Sequence, residues 1–191
     1  MSLSPQRVLI VIDVQNDYFS DGKFPLWNAD ATLDKVESAI ARARAAVVPV
    51  ILVQHLADAG KGVAPFFNQG TAGVEIHPRI RAAAPDASVV IKSFADSFLN
   101  TSLEQELAML GADELLICGM MTQNCVTHTA ISKAAEKYKV SVLGDCCTTV
   151  SQMIHLIALN ALSPRVAVID SAVALPVSPD GAKTSEKSTP N

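Results

Sequence analysis

A chain of 191 residues that is 49% apolar and 18% charged is long enough for one domain with a substantial core and too apolar for a disordered protein. Its formal net charge is −4 and no block of Lys or Arg interrupts it, which argues against a nucleic-acid or anionic-membrane surface. No apolar run reaches the length of a membrane span, so a solvated small molecule is the expected partner.

The first apolar run, Arg7 to Ile12, is continuous and β-branched, as in a strand buried on both faces, and it stops at Asp13. The residues before it lack the basic and apolar segments of a signal peptide, which leads us to expect a cytoplasmic protein. Asp30 to Val47 has helical spacing, with Leu33, Val36, Ile40, Ala43 and Val47 on one stripe and Asp30 or Thr32 as the cap. Val50 to Val53 is a second strand. Lys61 to Pro85 is rich in Gly and Pro, and most of it is expected to be a long surface excursion, which in compact domains usually serves function.

Ser88 to Ile91 is a third strand, ending at Lys92. Thr101 and Ser102 can cap a helix over Leu103 to Leu110, which Gly111 closes. Further on come a fourth strand (Leu115 to Cys118), a helix (Asn124 to Lys137), a fifth strand (Val140 to Leu143), a helix (Ser151 to Leu162) and a sixth strand (Arg165 to Ile169). One domain is expected over residues 1–177. The polar segment 178–191 is expected to be a disordered tail.

Six apolar runs separated by helical segments predict an α/β fold: three layers, α/β/α, around a six-stranded, mainly parallel sheet. Such folds bind ligands beyond the carboxyl ends of the strands, where the strand order reverses. Asp13 ends the first strand, Lys92 ends the third and Cys125 follows the fourth. An Asp there is often a turn residue, and a Lys is usually solvated. Cys125 by itself has two readings, a small buried hydrophobe or a thiol made acidic in the first turn of a helix. Together the three supply a nucleophile, a carboxylate to take its proton and a cation to balance both. Cys118, Cys125, Cys146 and Cys147 show no C-x-x-C spacing, and a vicinal pair makes a poor disulfide, so reduced thiols are expected.

Four segments carry a family resemblance. Ile12-Asp13-Val14-Gln15-Asn16-Asp17-Tyr18-Phe19, Gly70-Thr71-Ala72-Gly73-Val74-Glu75-Ile76, Lys92-Ser93-Phe94-Ala95-Asp96-Ser97-Phe98, and Gly119-Met120-Met121-Thr122-Gln123-Asn124-Cys125-Val126 with Thr129-Ala130 resemble, in order, the isochorismatase-like cysteine hydrolases. The resemblance covers about residues 7 to 175. It implies a triad of Asp13, Lys92 and Cys125 in which Asp13 deprotonates Cys125. The thiolate then attacks a carbonyl-like carbon, ammonia or an amine leaves, and water resolves the thioester. It also implies an oxyanion hole from the backbone N–H groups of Met121 and Cys125, a cis Met120–Met121 peptide, and self-association as a dimer or tetramer.

Metal-dependent nicotinamidases of this family carry an Asp-x-His pair and a further His after the second strand. The corresponding stretch here is Val53-Gln54-His55-Leu56-Ala57-Asp58, and no Asp-x-His occurs in the chain, so no catalytic metal, no other cofactor and no nicotinamidase activity are expected. His55 is expected to line the cleft or to be a structural imidazole. Asn16, Phe19, Trp27, Phe66, Phe67, Phe94 and Gln123 are candidate pocket residues, although packing under a long loop would explain the aromatic ones as well. His128, one helical turn beyond Cys125, is read as structural.

The function this predicts is hydrolysis of a C–N bond in an amide, carbamoyl or related small molecule. Two alternatives stand beside it: vinyl ether hydrolysis, which the family performs without a Cys nucleophile, and a non-catalytic scaffold of the same fold. The sequence carries no Gly-x-Ser-x-Gly elbow, phosphate loop or dinucleotide fingerprint.

Overall fold

A computed structural model describes residues 6–176; the expected tail and the domain boundary at 177 lie outside the described residues. Six strands form one sheet: β1 (Arg7–Ile12), β2 (Val50–His55), β3 (Ser88–Lys92), β4 (Glu114–Met120), β5 (Lys139–Thr148) and β6 (Ala167–Ile169). Their order is β3-β2-β1-β4-β5-β6 and every pairing is parallel. From Val8 to Ile12 and from Glu114 to Met120 every residue is buried, which is why these central strands read as unbroken apolar runs.

The helices are α1 (Ala29–Ala45), α2 (Pro78–Ala83), α3 (Leu103–Met109), α4 (Thr127–Ala130), α5 (Gln152–Leu162) and α6 (Ser171–Ala174). The crossovers leave β1 toward β2 and leave β4 toward β5 and β6. These run outward in opposite directions, so right-handed connections put α1 and α5 on opposite faces of the sheet. The strand order reverses between β1 and β4, and their carboxyl ends carry Asp13 and the segment leading to Cys125.

Several expectations need correction. The excursion 61–85 holds α2, whose Pro78 opens the helix beneath the side chain of His77, which accepts from Arg79 N–H. The N-cap of α1 is Asn28, in the left-handed region (φ 55°), rather than Asp30 or Thr32. The expected helix from Asn124 to Lys137 is three short pieces: a π-turn over Thr122–Val126, α4, and a 3₁₀ turn over Lys133–Lys137 that Ser132 caps. β5 is longer than expected because a bulge opposite Ile117 and Gly119 inserts Leu143 to Cys146 before pairing resumes. Within that bulge Asp145 accepts from Ser171 N–H and Oγ–H and so anchors the start of α6.

Candidate active site

Asp13 leaves β1 with φ 51°, in the left-handed region that Asp tolerates better than most residues, and its N–H is held by the Val53 carbonyl (3.0 Å). This turn swings the carboxylate over the strand ends. Lys92 is the last residue of β3, paired in register with His55 at the end of β2. Gly119 brings in the third element. It pairs with Ile12 at φ 116°, and a Cβ there would lie 2.0 Å from the Ile12 carbonyl oxygen, so only glycine lets β4 run this close to β1. The Met120–Met121 peptide that follows is cis. The π-turn then delivers Cys125.

The three side chains meet with almost no access to solvent. Lys92 Nζ lies 2.7 Å from Asp13 Oδ2, 3.0 Å from His55 Nδ1, 3.1 Å from the Phe94 carbonyl oxygen and 3.2 Å from Cys125 Sγ. Asp13, Lys92 and Cys125 are all buried. Burial opposes the ammonium charge, but Asp13 and Cys125 outweigh it and raise the Lys92 pKa. His55 is lowered by burial and then by Lys92, so its neutral imidazole presents Nδ1 as an acceptor to the ammonium.

The Cys125 thiol is pushed up, not down as the helix N-terminus argument would have it. Burial acts first and the Asp13 charge second, while Lys92 opposes them. The expected acidic thiol needed a helix of several turns behind it, and α4 is a four-residue piece. Thiol, carboxylate and ammonium together are electrically neutral. Loss of a proton to solvent would leave a buried negative charge, whereas passage of the proton from Cys125 to Asp13 would leave the net charge unchanged.

Asp13, His55 and Cys125 also form a group whose spacing could hold a metal ion, their ligand atoms lying within 4.8 Å of one another. The Lys92 ammonium stands within 3.2 Å of all three residues and fills the place an ion would take, so the donor set does not fit a metal.

The expected pocket residues divide. His55 and Phe94 touch Lys92, Phe67 lies 5.8 Å from the His55 ring, and Gln123 sits in the π-turn. Phe67 is itself in the left-handed region (φ 61°), with its N–H held by Asp17 Oδ2 (2.7 Å). Asn16 and Phe19 line a cleft of about 960 Å³ between loops, together with Val63, Asn68 and His77, and that lining includes none of the triad residues. Phe66 packs on Tyr18 and Phe24, and Trp27 lies beside His155. His128 is exposed, with Nδ1 3.0 Å from the Asn124 carbonyl. Two features escaped the sequence reading: the Phe94 carbonyl on Lys92, and a Thr122 Oγ1 to His155 Nδ1 hydrogen bond of 2.9 Å tying the π-turn to α5. The second had a signal, since His155 is the one ionisable side chain in α5. All four cysteines are unpaired and buried, and burial together with Asp145 pushes Cys146 up to about 12.

A family model described as an isochorismatase domain matches residues 7–172. An uncharacterised isochorismatase family protein, YddQ of Bacillus subtilis, is 36% identical over 147 residues, covering 77% of this chain and 80% of that protein. A streptothricin hydrolase of Streptomyces noursei is 31% identical over 78% of this chain and 56% of its own length, and a nicotinamidase of Escherichia coli is 27% identical over 77% and 85%. Among solved structures, an isochorismatase hydrolase from Oleispira antarctica superposes with a TM-score of 0.81 at 31% identity, covering 93% of this chain and all of that one.

Proposed function

The chain belongs to the isochorismatase family, and we propose that it is a hydrolase that cleaves the C–N bond of an amide, carbamoyl or related small molecule through Cys125. The observation that carries this reading is the neutral buried cluster in which one ammonium touches both a carboxylate and a thiol. Asp13 Oδ2 is engaged by Lys92, and Oδ1 has no hydrogen-bond partner among the described residues. In this mechanism Oδ1 takes the thiol proton as Sγ attacks the carbonyl carbon. As the proton leaves, Lys92 balances the negative charge developing on Sγ and holds Asp13 in place. The Asn124 and Val126 N–H groups both turn back to the Met121 carbonyl, so the Cys125 N–H between them, with that of Met121, is available for the tetrahedral oxyanion. The protonated Asp13 returns its proton to the leaving nitrogen, and the resulting thioester is cleaved by water that Asp13 deprotonates.

The relatives named as a nicotinamidase and a streptothricin hydrolase support hydrolysis, and the first supports an amide. Vinyl ether hydrolysis would need no thiol. The test is ammonia release from a panel of amides, carbamoyl compounds and ureido acids by wild type beside Cys125→Ala. Release by the wild type with a loss of at least about 1,000-fold in the variant is expected, and equal release by both would refute the nucleophile.

The setting we assign is the reducing cytoplasm, in keeping with four unpaired thiols; among the described residues no helix is long and apolar enough to cross a membrane. We also assign self-association to this chain, with the uncharged outer face of α5 as its contact.

A further inference from the structure

Among the described residues, three buried side-chain polar atoms have no hydrogen-bond partner: Asp13 Oδ1, Gln123 Oε1 and Thr149 Oγ1. Native interiors leave few such atoms, and each calls for a reason. All three stand at the carboxyl-terminal edge of the sheet's central strands. Asp13 follows β1, Gln123 lies two residues before Cys125 in the turn after β4, and Thr149 follows β5, whose Thr148 pairs with Met120. The thiol proton accounts for Asp13 Oδ1 in the mechanism above. The other two atoms have no part in it.

Their surroundings define what they can bind. Gln123 Nε2 faces Met121 Sδ at 3.8 Å. A thioether sulfur only accepts, so the amide's NH₂ end belongs there and its carbonyl end is left able to accept a proton from elsewhere. Thr149 is wholly buried, and its backbone is pinned beneath Trp27: its carbonyl accepts from Trp27 N–H at 2.9 Å, while Thr148 Oγ1 bonds the Trp27 carbonyl. The Thr149 backbone is thus fixed at the end of β5, and its hydroxyl is left there without a partner.

We propose that Gln123 Oε1 and Thr149 Oγ1 are recognition groups of the Cys125 site, the first accepting an N–H of the substrate and the second donating to its carbonyl oxygen. The substrate class is thereby an amide or ureido compound that still carries an N–H beside the carbonyl, and esters and tertiary amides are excluded from good binding. The proposal rests on the reading of Cys125 as the nucleophile.

The test needs no known substrate. Alkylation of Cys125 at pH 8 is followed by peptide mass with iodoacetamide, which has N–H and C=O, and with methyl iodoacetate, which has only C=O, against glutathione as the free-thiol reference. The wild type is expected to favour iodoacetamide by about tenfold more than glutathione does, and Gln123→Met to bring that ratio to the glutathione value. Thr149→Val keeps the volume and removes the hydroxyl, so it is expected to slow both reagents about fivefold while the melting temperature holds or rises, because an unpaired buried group has been removed. A merely structural hydroxyl would behave otherwise: a Thr149→Val protein that melts lower and alkylates at the wild-type rate overturns its role. Labelling of Cys125 with no preference for the N–H reagent overturns the recognition proposal alone. A wild-type Cys125 inert to both reagents would overturn the nucleophile reading and this proposal with it.

Discussion

Lys92 Nζ has four acceptors within 3.2 Å and only three protons, so the site is crowded with groups competing for one positive charge. Asp13 and Lys92 act on the thiol in opposite directions, the first raising its pKa and the second lowering it, after burial has raised it. Asp13→Asn removes the charge that raises the pKa and keeps the one that lowers it, so the thiol should ionise at lower pH. The expected outcome is divergent: iodoacetamide labelling of Cys125 at pH 7 becomes faster than in wild type, while hydrolysis falls by about 1,000-fold because no group is left to carry the proton to the leaving nitrogen. Parallel losses of labelling and hydrolysis would contradict it. The positions of Asp13, Lys92 and Cys125 could be read from the sequence because each ends or follows an apolar strand. The raised thiol and the left-handed turn at Asp13 could not, since both depend on what the completed fold packs around them.

At the level of elements, the central strands were legible to within a residue or two because buried parallel strands leave a continuous apolar signature. The segment after Cys125 was not. Thr127 Oγ1 bonds the Thr122 carbonyl (2.6 Å), which the Thr127 N–H also reaches, and Ser132 accepts from Ala134 N–H, so the ladder changes type where the π-turn runs into α4 and breaks before the 3₁₀ turn that Ser132 caps. Gly119 is the residue on which the approach of β4 to β1 depends. Gly119→Ala would drive a methyl into the Ile12 carbonyl at 2.0 Å with a φ that L-residues rarely adopt. We expect a loss of more than about 3 kcal/mol in denaturant unfolding, or an insoluble protein. An alanine variant as stable as wild type would contradict the close packing of these strands.

For the whole molecule, the reversal of strand order between β1 and β4 gathers residues far apart in the chain at one end of the sheet. Among the described residues nothing covers the outer face of α5: Met153 is 72% exposed, Leu156 56% and Ile157 62%, with no charged side chain along the helix. A face without charge can meet a copy of itself without repulsion. Light scattering of the purified protein is therefore expected to give a dimer or larger assembly, and Ile157→Lys a monomer with an unchanged fold. A monomeric wild type would remove this assignment. Since the same helix holds Thr122 through His155, assembly would also brace the turn that carries Cys125.

The most direct measurement is the mass of the Cys125 peptide after rapid acid quench of the wild-type protein turning over whichever amide or ureido compound releases ammonia. A covalent adduct equal to the substrate's acyl part, formed before steady state and absent from Cys125→Ala, is the expected result. Steady ammonia release with an unmodified Cys125 peptide at every quench time, retained in the alanine variant, would mean that the thiol is not the nucleophile.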